Sequence, residues 1–358
     1  MRAIFNKTWL YRVGLSAALL SAGAVHAQDV GAPPALADAN ANANAALTQS
    51  LQAPMDANVA PFEGSTAHVV DEPIENHLKV GELKPDIPPT LGSVKSSQAY
   101  SWKAAEDDLK SIKWEAAGTF AGITAIGVKS WKWGSSSFHF NSEHWFGKKT
   151  GSGGSDKLGH AFTSYTLTNA FAERLQAKGR SPERAALSAA LLTQALMLYV
   201  EIFDGVSGDH GFSKEDFVMN ALGTGLAYLR QTHPQIKDLI DYRMEYKPSG
   251  YKGFRPLSDY EGQKYLIALK LSGVKSLKDT PLKYVELQAG YYTRGFSKEA
   301  KKDGQERKRH GFVGIGVNLS QLVFGSPEPQ DNGYEKAGRF FFEHIQLPDT
   351  AGRKNSDF

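Results

Sequence analysis

The chain has 358 residues, a formal net charge of +3 and a hydrophobic fraction of 41%, enough apolar material for a packed core. It contains no cysteine, which excludes disulfide frameworks, cysteine–zinc sites and thiol catalysis, and predicts no acyl anchor on a lipid-modified cysteine. Its basic residues are interspersed with acids and form no long stripe with aromatics, which excludes nucleic acid from the expected partners.

Residues 1–27 read as an export signal. Arg2, Lys7 and Arg12, with no acid among them, precede the short apolar run Val13–Ala22, and Val25-His26-Ala27 puts small or apolar groups where a signal peptidase cleaves. That run is short for a bilayer, which takes about 20 residues. Cleavage is expected after Ala27, and an exported chain is expected in the periplasm or at the outer membrane. Residues 28–100 read as a disordered low-complexity tether, with the Ala/Asn/Asp tract Ala35–Leu47 followed by prolines from Pro54 to Pro89.

From Ser101 the pattern becomes helical. Trp114–Trp131 is a small-residue-rich apolar helix, and Phe138–Trp145 reads as a short extended segment. Gly151–Gly154 is a turn that delivers a helix over Asp156–Lys178, with Ser155 or Asp156 at its start and Gly179 at its end. Ser181-Pro182 opens the next helix, whose body Ala185–Phe203 is nearly all apolar and long enough to cross a membrane. Ser213–Asp216 has a capping-box pattern and opens a third helix that runs to about Arg230.

After Pro248 the period changes to two. Tyr265–Leu271, Val285–Tyr291 and Val313–Leu319 alternate as strands do, and the basic stretch Lys301–Arg309 reads as a solvated hairpin loop between two of them. The C-terminal Arg353–Asp357 is polar and lacks the alternation of a terminal barrel strand. The expected fold is therefore α+β, a compact four-helix core over 101–246 followed by a C-terminal antiparallel β region over 247–358.

Charges on the apolar helices are the most informative feature. Asp156 and His160 are four apart, Glu201 and Asp204 three apart, and Asp216 and Asn220 four apart, each pair near a helix end. Such groups are costly among apolar neighbours unless paired, hydrogen-bonded or bound to metal, so a shared polar cluster is expected. Two chemistries fit it. His160, Glu201, Asp204 and Asp216 would hold a divalent metal that activates water. Alternatively His160 would act as general base or nucleophile, with Asp156, Glu201 and Asp216 beside it and Lys157 stabilising negative charge. A third account is a satisfied buried network without turnover, in which Asp156 meets free helix amides and Asp216 completes the Ser213 cap. Neither Ser164 nor Ser213 lies in a nucleophile elbow.

Phe138–Trp145, Gly154–Ala161, Tyr165, Glu201, Asp204, Gly211–Ser213, Asp216 and Asn220–Gly223 together resemble the YfiM-like family of predicted periplasmic lipoproteins, and Asp259–Tyr265 is similar to a tract of its longer members. The helical core is more distantly similar to the VanZ-like membrane family, through Asp-Lys-x-x-His and a later Asp-x-x-x-Asn-x-x-Gly. The resemblance implies export and an envelope role for a family of unknown function, and membrane association through its VanZ-like part. It adds Asp204, Asn220 and Tyr165 as candidate binding residues. A non-catalytic binding or structural protein is thus expected, with an envelope lipid, glycan or protein as partner. The competing expectation is a metal-assisted or acid–base hydrolase of a lipid-linked or phosphorylated substrate.

Overall fold

The computed structural model describes residues 100–251, 253–327 and 332–357. The expected signal peptide and, apart from Tyr100, the expected tether lie outside the described residues.

Helices come first. Ser101 caps α1 (Trp102–Ser111) by accepting from the Ala104 amide, and α2 (Lys113–Ser130) follows directly. The turn before α3 (Ser155–Ala177) is closed by Gly154 in the left-handed region at φ 91°, where a side chain would also collide with Phe146. The helix starts at Ser155, as expected, with Gly154 as its N-cap. Ser181 caps α4 (Pro182–Asp204) through the Arg184 amide, with proline at the first helical position. Ser213 caps α5 (Lys214–Thr232) through the Asp216 amide at 3.2 Å. The short α6 (Pro234–Leu239) leads into the sheet.

α3, α4 and α5 pack on one another. Gly223 allows the closest approach, because a Cβ there would strike the backbone carbonyl of Ala161. Ala161, Phe162 and Tyr165 from α3 and Met219 and Ala227 from α5 form one core with Tyr242, Met244 and Tyr265 of the sheet. Phe171, Leu175, Ala185, Ala189 and Leu196 form a second core with Ile112.

Six strands make one sheet in the order β5-β1-β2-β3-β4-β6, comprising β1 (Ile240–Tyr246), β2 (Gln263–Lys270), β3 (Val285–Arg294), β4 (Lys308–Val317), β5 (Ile345–Gln346) and β6 (Ala351–Asp357). All neighbours are antiparallel except the two-residue β1–β5 pair, so the sheet is mixed. The first strand ends at Tyr246, ahead of the position where the sequence suggested the β region would begin. Of the basic stretch expected as a loop, Lys301 and Lys302 end α7 (Lys298–Lys302), residues 303–307 form a loop, and Lys308 and Arg309 open β4. α8 (Leu319–Phe324) and α9 (Gly333–His344) complete the chain's helices among the described residues. Arg353–Asp357 is a strand despite its polar side chains. As an edge strand it needs only backbone partners, and β4 supplies them from His310 to Gly316.

The two faces of this sheet have unusual polarity. One face of β1–β3 buries Asp241, Arg243, Glu245, Lys270, Glu286 and Gln288. They are paired there, with Arg243 bonded to Asp241 and Glu286, and Lys270 to Asp241. On the other face, β1 and the start of β2 lie against the helices. The part of that face formed by Ile267, Leu287, Val313, Ile315 and Val317 is exposed and apolar. Register sets Leu287 beside Ile315, Ala289 beside Val313 and Ile267, and Val285 beside Val317. Val313 and Ile315 are each 62% exposed. Soluble sheets show the reverse, with apolar residues inward and polar residues outward.

Candidate functional site

Residues 156, 157, 160 and 164 share one side of α3 at helical spacing, turned toward α4 and α5, whereas Ala161, Phe162 and Tyr165 face the sheet. The loop before α3 is fastened to the α4–α5 connection by the bridges Trp133↔Ser207 and Phe140↔Phe212, and this brings Glu143 to the same place. Thr293 Oγ1 donates to the Ser152 carbonyl at 3.0 Å and Tyr291 donates to that of Gly153 at 2.5 Å, so β3 holds the turn ahead of Asp156.

The centre of the cluster is the Lys157 ammonium, only 1% exposed. It lies 2.5 Å from Glu143 Oε2, 2.8 Å from Asp156 Oδ2 and 2.9 Å from Asp216 Oδ1. Burial opposes its charge, but the three carboxylates outweigh burial and raise its pKa. Burial pushes Glu143 up to about 8, reinforced by its hydrogen bond to Asp156. Asp156 falls to about 2, because Lys157 and the bonds from Glu143 and Ser152 outweigh its burial.

One turn along, a second group shares Asp216. His160 Nδ1 is 3.3 Å from both Asn220 Oδ1 and Glu201 Oε1, and His160 Nε2 is 3.9 Å from Asp216 Oδ1. The Asn220 amide donates to Glu201 Oε1 at 3.2 Å, and Ser164 Oγ donates to Asn220 Oδ1 at 3.0 Å. Burial would lower the imidazole's pKa, but Asp216, Glu201 and Asp156 raise it to about 9. Burial, with the Asp216 and Asp204 charges, pushes Glu201 up to about 8 against the pull of His160. The His160 side chain is 19% exposed, so the cluster reaches solvent there while Glu201 and Asp216 are sealed.

The structure therefore brings Asp156, Lys157, His160, Glu201, Asp216 and Asn220 together. Two candidates lie elsewhere. Asp204 accepts from Trp133 Nε1 at 2.6 Å and is not among the groups that converge with His160; its burial raises its pKa, opposed by that hydrogen bond. Tyr165 is fully buried in the core, where its hydroxyl accepts from the Tyr242 amide and its ring meets Tyr242, His344 and Arg230. Tyr165, offered by the family resemblance, belongs to the sheet side of α3. Glu143 and Ser152 are members that sequence reasoning missed, because a loop carries no periodicity to show where its side chains turn. Ser164 and Ser213 are both committed, one to Asn220 and the other to capping α5.

Every residue of the two linked groups lies between positions 142 and 232. Residues 142–232 match the family model described as a predicted periplasmic lipoprotein (DUF2279). The matched segment contains the Asp156–Ala161 and Asp216–Gly223 residues on which the resemblance noted from the sequence rests. The protein is exported, and its place is the periplasm or the outer membrane's periphery. The lipoprotein description meets a sequence without cysteine. Comparison with curated proteins gives no match. Comparison with solved structures gives none either.

Proposed function

We propose that this is a non-catalytic envelope protein that docks on membrane lipid through the exposed face of its sheet, with the charged cluster bracing the helices above it. The observation that carries the reading is the reversed polarity of the sheet: charged groups are sealed on one face, and Ile267, Leu287, Val313, Ile315 and Val317 stand exposed on the other. A contiguous apolar surface of this kind on an exported protein marks an interaction site, and apolar-outward with polar-inward is the pattern of sheets that meet lipid. Lys354 adjoins Val313 in register on that same face and suits an anionic headgroup. The apolar helix α4 is mostly buried within the bundle, so the docking surface is assigned to the sheet.

Flotation of the full chain with phosphatidylethanolamine–phosphatidylglycerol vesicles tests this. Wild type should float with the vesicles, and Val313→Asp/Ile315→Asp should bind at least ~10-fold more weakly, since each apolar side chain buried contributes roughly 1.5 kcal/mol or more. Both positions are exposed, so melting should be unchanged. Wild type that stays with the soluble fraction, or a variant that floats equally well, removes the reading.

The second reading is a metal-assisted or acid–base hydrolase, favoured by the solvent-reaching edge at His160. Turnover of lipid-linked phosphate substrates by wild type, lost in His160→Gln, would put it first.

A further inference from the structure

The two linked groups of the cluster differ in one respect. Around Asp216, Asp156 and Glu143 the chain supplies its own cation, the Lys157 ammonium, within 2.5–2.9 Å of all three. Among the described residues Glu201 and His160 have no lysine or arginine ion-pair partner, and only Asp216, shared by the two groups, meets Lys157; one donor atom from each of Asp216, Glu201 and His160 lies within 4.8 Å of the others. Asp216 Oδ1, on a side chain 5% exposed, receives no hydrogen bond. Lys157 is an ion-pair neighbour of that oxygen, but it donates to Oδ2 at 3.1 Å.

The outer contacts are arranged for a ligand as well. Asn220 Oδ1 can only accept, so its contact with His160 Nδ1 assigns the proton to Nδ1. That leaves Nε2, on the side of Asp216 Oδ1, as the nitrogen whose proton a metal ion would displace. The Asn220 amide meanwhile fixes Glu201 Oε1, and Ser164 fixes Asn220. An imidazole whose second nitrogen is held by a carbonyl, beside a carboxylate held by an amide, is how proteins orient metal ligands.

We propose that His160 Nε2, Glu201 and Asp216 bind a single divalent first-row transition ion, with His160 at the solvent end and water completing the coordination. One imidazole with two carboxylates suits Zn²⁺ or Mn²⁺ over the all-oxygen preference of Ca²⁺. Asp204, engaged with Trp133, is not a ligand. The inference stands apart from lipid docking, because the β4 face contributes no residue to it.

Metal-free full-length protein should be titrated with Zn²⁺, Mn²⁺ and Ca²⁺ by calorimetry. The expected result is one Zn²⁺ or Mn²⁺ per chain and a raised melting temperature, with Ca²⁺ much weaker. His160→Gln and Glu201→Gln should each weaken Zn²⁺ binding at least 10-fold, while Asp204→Asn and the β4 double variant leave it unchanged. Co²⁺ added to wild type should give ligand-field bands that Zn²⁺ abolishes. Absence of stoichiometric binding, or binding unaltered in a folded His160→Gln protein, overturns the site. Should both ligand variants fail to fold, ¹⁵N-histidine spectra of wild type decide: one imidazole moving to a metal-bound Nε2 shift upholds the site, and none moving overturns it.

Discussion

Arg353 on β6 donates from Nη1 to Glu245 Oε2 on β1 at 2.5 Å, although β2, β3 and β4 lie between the two strands. Four inter-strand steps of about 4.8 Å put flat strands about 19 Å apart, beyond the combined reach of the two side chains. The sheet must therefore curl with its charged face inward, and Arg353, which also bonds Gln288 Oε1, ties its ends together. This curl presents the apolar residues of β3 and β4 on the convex side.

Removing that tie should loosen the sheet. Arg353→Gln leaves Glu245 with Lys264 as its remaining ionic partner at 2.8 Å. The expected loss is about 2 kcal/mol, below the range for a buried charge left wholly alone. Urea unfolding measures it, and β6 amides should exchange faster with solvent than those of β2. Unchanged stability together with unchanged β6 exchange would show that the curl is held by other contacts.

Lys157 should matter more to the fold than any other single charge in the helices. Lys157→Met leaves the carboxylates of Glu143, Asp156 and Asp216 facing one another without a cation, at an expected cost of about 3 kcal/mol, reduced from the fully buried case because Glu143 and Asp156 are partly exposed. Adding Glu143→Gln should recover part of it, as neighbouring charges couple non-additively. If the double variant is the less stable of the two by the full sum of the single effects, Lys157 is not neutralising that group.

Much of this arrangement was legible from the sequence. The caps at Ser181 and Ser213 and the apolar periods gave α3, α4 and α5, and i,i+4 spacing put Asp156 with His160 and Asp216 with Asn220. The alternation of Val313–Val317 marked β4. What escaped depended on long-range contacts. Glu143 joins the cluster only because strand-like bridges fasten its loop to the α4–α5 link. β1 was placed within the helical core, although Ile240, Tyr242, Met244 and Tyr246 alternate with Asp241, Arg243 and Glu245, and β6 reads as polar because its pairing with β4 is made by backbone groups. Tyr165, which entered through the family resemblance, faces the sheet rather than the cluster.

His344 is the residue whose protonation most directly tests packing between α9 and α3. It is 2% exposed, with Nδ1 bonded to the Phe340 carbonyl at 2.7 Å and Nε2 to the Asn169 amide at 3.2 Å. An Nδ1–H donor and an Nε2 acceptor describe a neutral ring. Burial lowers its pKa to about 4, with the nearby Arg230 charge adding to the effect and the Phe340 carbonyl opposing it. A folded-state value below the unfolded 6.5 means that the unfolded chain binds the proton first as pH falls. The stability associated with the neutral ring is therefore complete above pH ~6.5 and is lost progressively down to pH ~4, by about 3 kcal/mol in all. His344→Gln keeps a donor and an acceptor but cannot titrate. It should be less stable than wild type at pH 7, and the gap should close as pH is lowered toward 5, as urea titrations at pH 7, 6 and 5 would show. Stability curves that run parallel across that range would mean that His344 titrates alike in the folded and unfolded chains, and that the α9–α3 contact is open to water.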